Sequence, residues 1–397
     1  MSIMLTSISR PDKVSSNRES VLAIIFALQS LLSLGWIAVY PYGGYAILLL
    51  WAIAFFFYKF SSLNYLIYGV VVGIVIVFYM FPRTYGSGNT AWHLSLLVFT
   101  QLIFLDRSLF SQIFSLFIKY LLFLCIASFF FRLGVFSGLE IPYRYIDLDP
   151  QFFNLHWPFY IERLNTSGDS AASLVGSFRF HGPFFEPGAL GIALGICLYG
   201  DLSRWKLLLI LFFGVLSLSM AFFFIGFFKL LEHSVLKRDF KILAVIIIVL
   251  AISVLFVLDK DGYLYASTFG RFLGTNDKVL NTRLSMYEVD QIALYTKTLS
   301  SNLLGFIVGI GWDVPGSGGS YRVWLLGSGL IGLILWLCFY VKLLGKLCII
   351  DFNSLIFRTP ILLILCYIWG NWMSLMFLFL WYKRDKSGSI PRFYARV

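Results

Sequence analysis

The stretch Arg179-Phe-His-Gly-Pro-Phe-Phe-Glu-Pro-Gly-Ala-Leu-Gly191 sets two opposite charges, a histidine, three glycines and two prolines directly before an apolar run. These residue types suit one kind of chemistry, the displacement of an anionic leaving group. A guanidinium such as that of Arg179 is permanently charged and grips a phosphate through two parallel hydrogen bonds. The carboxylate of Glu186 stands between Phe185 and Pro187, and apolar neighbours disfavour its charged form. That raises its hold on a proton and suits it to act as a general base. A plainer role is also open to Glu186: it can pair with Arg179, or cap a helix whose first residue is Pro187. His181 is a second candidate for substrate contact or base, although a loop histidine beside Gly-Pro also serves by bonding backbone. Gly182 and Gly188 permit close backbone approach, and Phe184 is a packing residue.

The elements that must position these groups are apolar. Of the 397 residues, 59% are hydrophobic and 13% charged, with a mean hydropathy of +0.84; soluble domains carry about a quarter charged residues. The composition implies an all-α, polytopic transmembrane protein, a single integral membrane unit over residues 1–397, with about 11–12 spans at ~20 residues each. Met1–Ser20 is polar and no small-residue cleavage pattern follows the first apolar run, so a cleavable signal peptide is not expected. The five cysteines all lie in or beside apolar runs without metal-like spacing, so neither zinc nor disulfides are expected. No solenoid-period repeat or low-complexity segment is found.

Long apolar runs place spans near Val21–Tyr40, Tyr45–Tyr58, Tyr65–Phe81, Ala91–Leu105 and Gln112–Phe131. A polar stretch follows, and Pro187–Gly200 resumes the apolar pattern. The run between Lys206 and Lys229 reads as one helix or as two short ones turning near Ser217-Leu-Ser219. Two helices return Lys229, Lys237, Arg238 and Lys241 to the side of Arg204 and Lys206, which the excess of Lys/Arg in cytoplasmic loops favours. Lys241–Leu258 then crosses outward and Tyr321–Leu344 crosses back. Pro360–Tyr382 is one span, or a tight pair broken at Gly370-Asn371. The pair keeps the tail inside, as its five basic residues against one acidic residue favour.

On this topology residues 134–186 and 259–320 are two large extracytoplasmic loops. The net charge of +11 gathers on the cytoplasmic side, so the basic balance reports membrane orientation and no nucleic-acid partner is expected. Most loop charges, Arg144 and Arg163 among them, are ordinary solvated groups. Arg179, Glu186 and Arg322 lie at the membrane boundary, where an ionised side chain tends to line a protein-enclosed polar cavity. Arg271 and Arg283 stand in the second loop. Arg271 and Arg322 also suit structural ion pairs with loop carboxylates.

The pattern Arg179-x-x-Gly182-x-Phe184-x-Glu186-Pro187-Gly188 at the start of a span resembles the signature of Wzy-type O-antigen and exopolysaccharide polymerases. Downstream, Arg283, Asn302-Leu-Leu-Gly305, Gly309-Ile-Gly311 and Gly329-Leu-Ile-Gly332 look like that family's second outer loop. The Leu216–Met220 turn sits where such proteins turn back within the membrane. The resemblance covers roughly residues 176–335. It implies a GT-C-like, metal-independent glycosyltransferase of the bacterial inner membrane, its active site facing the periplasm and no cofactor required. The donor and acceptor would be glycan repeat units on undecaprenyl diphosphate, joined into O-antigen, capsular or exopolysaccharide chains. Membrane lipid, a chain-length regulator and a flippase would be its partners. Arg179 and Arg283 match family positions and would neutralise the departing diphosphate. Arg271, Arg322, His181 and Gly182 would complete the substrate site, with Glu186 as base. Asp147-x-Asp149 is the nearest approach to a metal-binding pair in the loops, and such a pair is more often part of a turn.

Two departures bear on the choice within the superfamily. The related ligases, which transfer O-antigen to lipid A core, carry Asn-Pro where this chain has Glu186-Pro187. They also carry a histidine before the span that follows the second loop, where this chain reads Gly318-Gly-Ser-Tyr-Arg-Val-Trp324. Both favour polymerase over ligase. A lipid-linked oligosaccharide flippase is the alternative from another class. Transporters show repeated halves and mid-membrane charges, whereas this chain shows no halves and gathers its charges at one face.

Overall fold

A computed structural model of the chain describes residues 13–33, 43–57, 69, 101–139, 144–149, 152–157, 160–165, 180–184, 187–217, 219–237, 303–309, 321–348, 351–368 and 375–382. These are predominantly helical. Helix α1 (Lys13–Leu32) and α2 (Gly43–Phe57) lead to the longest element, α3 (Arg107–Phe136). The Asp106 carboxylate caps α3 by accepting from the Leu109 N–H at 2.7 Å. Its other end closes at Ser137 and Gly138, whose positive φ of 77° suits a left-handed stop. Then come α4 (Pro187–Cys197), α5 (Arg204–Leu216), α6 (Met220–Lys237), α7 (Leu303–Val308), α8 (Tyr321–Leu347), α9 (Phe352–Ile368) and α10 (Leu375–Phe379).

The departure from an all-helical chain lies in the first loop. Strands β1 (Arg144–Asp149), β2 (Phe152–Trp157) and β3 (Tyr160–Asn165) form an antiparallel meander, with β3 beside α3. Alternation in Phe152-Phe-Asn-Leu-His-Trp is too irregular to announce a strand; the ladders end in the pairs Asp149 with Phe152 and Trp157 with Tyr160. The register shifts between Ile146 and Asp149, so Asp147 falls where the ladder is irregular and Asp149 ends β1.

Helix α4 is the centre of the bundle: Ala189 through Cys197 are all buried. Its sequence Gly191-Ile-Ala-Leu-Gly195 sets two glycines one turn apart, so they share a face. That face meets α6 so closely that a Cβ at Gly191 would overlap the Ser219 side chain, and one at Gly195 would stand 2.9 Å from Ile225 Cδ1. Small residues at such a seam let two helices approach and gain dispersion contacts, the usual source of helix association in lipid. On α5, the face of Gly214 receives the Phe222 ring of α6.

These contacts fix directions. Ser219 lies beside Gly191 and Ile225 beside Gly195, so α6 runs parallel to α4. The Leu216 end of α5 reaches Phe180, just ahead of α4, so α5 runs antiparallel to both. The stretch between Lys206 and Lys229 is therefore two helices, broken at Ser217, as the charge pattern favours. The chain also turns back between α9 and α10. Arg358 of α9 donates to the carbonyls of Leu380 and Tyr382 at 2.9 and 3.2 Å, which brings the last described residues beside α9 and supports the tight-pair reading.

Two ends of the bundle result. At one, Arg107 donates to the Cys348 carbonyl, Ser111 bonds the Tyr382 hydroxyl, and Phe114 stacks on Phe379 at 4.3 Å. Tyr199, Lys229, Glu232 and Arg358 lie at this end too. The other end holds Arg132, Phe136, Phe180 and Leu216. Among the described residues, two helices are long and apolar enough to cross a membrane, Arg107–Phe136 and Gly329–Leu347. Helix α4, at 11 residues, reaches ~16 Å, about half of a ~30 Å hydrocarbon core. The run from Pro187 is thus shorter than a full span. The expected spans at Tyr65–Phe81, Ala91–Leu105 and Lys241–Leu258 lie outside the described residues, apart from residues 69 and 101–105. The outer face of α5 carries Leu208, Leu211, Phe212 and Val215, and Trp205 at its start is 77% exposed. Such an apolar exterior suits lipid.

Two outcomes follow from this packing. Gly191→Ala should destabilise the bundle by about 1–3 kcal/mol through overpacking, and Ser219→Gly in the same chain should recover much of it; thermal unfolding in detergent checks both. In a background without native cysteines, a membrane-impermeant thiol reagent should label Ser203→Cys and Lys237→Cys from one side of the membrane and Ser137→Cys from the other. Opposite sidedness for positions 203 and 237 would contradict the α5–α6 hairpin.

Candidate functional site

The segment singled out by sequence is pinned at its start. The Phe180 N–H donates to the Leu216 carbonyl at 3.0 Å, which ties it to the open C-terminal end of α5, where carbonyls lack helical partners. Phe180 is fully buried, stacked on Phe213 at 5.5 Å between ring centroids and edge-on to Phe129 at 6.4 Å. His181 is buried. Gly182 follows with φ 61°, a left-handed conformation that L side chains rarely adopt, and a Cβ there would stand 3.2 Å from a Leu190 methyl. The Phe184 N–H then reaches the His181 carbonyl at 3.4 Å, closing a turn, and the Phe184 side chain is fully buried as a packing residue. Pro187 opens α4, where a proline costs no helical hydrogen bond. Arg179 and Glu186 lie outside the described residues.

Two parts of the downstream pattern meet. The Gly309 N–H donates to the Gly305 carbonyl at 2.8 Å and ends α7. Gly329 interrupts α8 with φ 63° and ψ −173°. A Cβ at Gly329 would overlap the backbone N of Gly309 and approach the Ile307 carbonyl oxygen at 2.5 Å. Gly309 and Gly329, twenty positions apart in the chain, are thus in backbone contact. Arg322 falls in the part of α8 ahead of this kink; its side chain is not described. Arg271 and Arg283 also lie outside the described residues. Of the seven residues expected at the site, the structure therefore places His181 and Gly182 in full and Arg322 by its backbone. Among the described residues no group of three His, Cys, Asp or Glu side chains is positioned to hold a metal ion.

The structure adds charged groups that sequence reading missed. Arg358 bonds one oxygen of Glu232 through Nη2 at 2.8 Å and Nε at 3.1 Å, and both side chains are almost wholly buried, 5% and 3% exposed. Lys229 approaches the other oxygen of Glu232 at 3.5 Å. Both cations lie over the Tyr199 ring, at 4.4 Å for Lys229 and 4.7 Å for Arg358. The network joins the turn after α4 to α6, α9 and the end of α10, at the end of the bundle away from Phe180. Its signal in the sequence is a lone arginine inside an apolar run, Leu355-Ile-Phe-Arg358-Thr-Pro-Ile361. Its partner Glu232 is 126 positions away, a separation that periodicity cannot bridge.

Arg132 is the second such group. It stands in the last turns of α3, 7% exposed, with its guanidinium carbon 5.3 Å from the Phe136 ring and 6.0 Å from the Phe180 ring. Read in sequence, it only marks where the polar stretch begins.

Removing one member of the Glu232–Arg358 pair leaves an uncompensated buried charge, which costs about 3–5 kcal/mol; replacing both by apolar residues of like size is far milder. Arg358→Met alone should therefore lower the midpoint of thermal unfolding in detergent sharply. Glu232→Leu with Arg358→Met should recover part of the loss. Equal losses in the single and double variants would mean that the ion pair is not what binds α6 to α9.

No family model, no curated protein and no solved structure matches this chain.

Proposed function

We propose that this chain is a polytopic, GT-C-like membrane glycosyltransferase. It joins undecaprenyl-diphosphate-linked oligosaccharide repeat units into longer chains on the outer face of the cytoplasmic membrane. The observation that carries the reading is the placement of Phe180–Phe184. This irregular segment is buried at the end of the bundle opposite Arg107, Lys229 and Arg358. Irregular backbone is tolerated at membrane depth only when protein encloses it, and such a place also strengthens charge–charge interactions. If the basic end faces the cytoplasm, as Lys/Arg excess implies, the Arg179–Glu186 segment faces out. The contact of Gly309 with Gly329 supports the second half of the same resemblance.

The chemistry that suits these residues is a displacement at an anomeric carbon. An acceptor hydroxyl attacks that carbon, its bond to the diphosphate oxygen breaks, and the lipid diphosphate departs with the bonding pair. Arg179 and Arg283 would neutralise the charge growing on that oxygen, in the role a divalent ion fills elsewhere. Arg271 and Arg322 would hold the same group from the second loop. Glu186 would take the acceptor's proton, with His181 and Gly182 shaping the acceptor side. Membrane lipid surrounds the bundle, and a flippase and a chain-length regulator would be functional partners.

A deletion strain separates the candidate functions. Single repeat units capping the surface lipid indicate a polymerase, absence of glycan a flippase, and full unattached chains a ligase; either of the last two overturns the proposal. With purified protein and lipid-linked repeat units, chain formation should persist in excess EDTA. A loss reversed by Mg²⁺ or Mn²⁺ would refute the metal-free mechanism.

Arg179→Lys should fail almost as badly as Arg179→Ala, since lysine keeps the charge but not the two-point grip. Glu186→Gln should slow turnover by ~10²–10⁴-fold at unchanged membrane abundance if Glu186 is the base. If it caps α4 instead, the variant should keep its activity and lose about 1 kcal/mol of stability.

A further inference from the structure

We infer that the exterior of α3 between Ser108 and Lys119 docks anionic phospholipid headgroups, drawing the phosphate layer inward on one side of the bundle. This rests on the membrane-embedded part of the reading above and not on its glycosyltransferase chemistry. Three observations lead to it.

The first is a change of character along one helix face. Ser108, Gln112, Ser115 and Lys119 are exposed, and steps of three and four residues set them on one face of α3. The same face continues with Phe123, Phe130 and Leu133, which are exposed as well. Its exterior therefore passes from polar to apolar between Lys119 and Phe123. A face that met lipid chains along its whole length would be apolar throughout, since polar groups lack partners in hydrocarbon. The stripe carries one cation and no carboxylate, and its ammonium, hydroxyl and amide donors suit phosphate oxygens. Helix side chains lean toward the N-terminus, which in α3 is the basic end, the direction in which a lysine snorkels to headgroups.

The second is height. Gly200, in the turn before α5, lies against the Ile118 and Phe114 side chains, so the start of α5 stands level with Lys119. Arg204 and Trp205 are exposed there, a cation and an amphipathic ring of the kind that settles among headgroups. Beyond them the outer face of α5 is apolar, yet its 13 residues span only ~20 Å. That is about 10 Å less than a ~30 Å hydrocarbon core. A short helix facing lipid is matched by local thinning of the bilayer and by flanking cations.

The third is contrast across the bundle. Lys229 and Arg358 share the height of Tyr199, the chain neighbour of Gly200. Nearer the basic end, α6 exposes Leu230, Val235 and Leu236, and α9 exposes Leu355 and Ile356. On that side lipid chains extend past the height at which α3 turns polar. The stripe is thus a feature of one side and not the general level of the membrane surface. A second copy related by a twofold axis along the membrane normal would set Lys119 against Lys119, a like-charge contact. Headgroup phosphates meet the stripe with opposite charge.

The test uses the full chain in lipid nanodiscs, with a fluorophore on Gln112→Cys or on Leu236→Cys in a background without native cysteines. Both positions lie about 10 Å beyond the level of Gly200 toward the basic end. Phosphatidylglycerol and phosphatidylcholine, each spin-labelled either high or deep in the acyl chain, serve as quenchers. The probe at 112 should respond to the shallow label and prefer phosphatidylglycerol. The probe at 236 should respond more to the deep label and show no preference. Lys119→Met should lower the preference at 112 about 5-fold, the usual worth of one basic residue at an anionic surface, at unchanged thermal midpoint. Deep-label quenching at 112 equal to that at 236 would place the stripe in hydrocarbon. Equal response to the two lipids would remove the anionic preference, and no response to either would mean that water or protein covers the stripe. Self-quenching between labelled chains would identify that protein as a second copy. Each of these outcomes overturns the inference and leaves the membrane reading intact, whereas a chain that carbonate washes from membranes overturns both. Should the cysteine-free chain fail to fold, native mass spectrometry of the unaltered chain and of Lys119→Met counts the phosphatidylglycerol each retains. Equal retention would refute the inference.

Discussion

The seam between α4 and α6 sets the geometry of this bundle. Gly191 and Gly195 leave no room for a side chain, so Ser219 and Ile225 lie almost on the α4 backbone. In lipid, where apolar burial gives helices little reason to associate, such close approach supplies the dispersion contacts that hold them. It also fixes the height at which α6 begins. Because α6 starts at Met220 and α5 ends at Leu216, the same seam fixes the end of α5. The Leu216 carbonyl then receives the Phe180 N–H. The placement of Phe180–Phe184 thus descends from two glycines on the helix that follows it.

The polar groups divide between the ends of the bundle in keeping with different tasks. Around Tyr199, Lys229, Glu232 and Arg358 saturate one another and bind four parts of the chain. Desolvating two charges is costly, so a buried pair is weak evidence for stability and better evidence for a specified arrangement. Here the arrangement specified is the return of the chain after α9, which brings Leu380 and Tyr382 back to Arg358. At the other end, aromatic rings hold Arg132 and the backbone turns sharply at Gly182.

The glycine-marked turns serve the same division. Gly329 breaks α8 where Gly309 ends α7, and backbone meets backbone without an intervening side chain. A close backbone crossing of this kind is rigid, since neither strand of the contact has rotamers to adjust. It ties the end of α7 to α8 at the kink.

Much of this was open to reading along the chain because it depends on composition and local pattern. An apolar, helix-rich protein follows from hydropathy. The break at Ser217 and the return after α9 are the alternatives that the distribution of Lys and Arg favours. Pro187 marks a helix start because its missing N–H costs nothing there, and Gly182 marks close backbone approach, in a conformation that L side chains rarely adopt. What only the tertiary structure decided is the pairing of groups distant in the chain: Glu232 with Arg358, Phe180 with Arg132 and Leu216, Gly309 with Gly329, Gly191 with Ser219. The meander at Arg144–Asn165 likewise depends on strand partners more than on propensity. Hydropathy and spacing act over one helix or one turn, whereas these contacts depend on which helix faces meet, and that is set by the packing of the whole bundle.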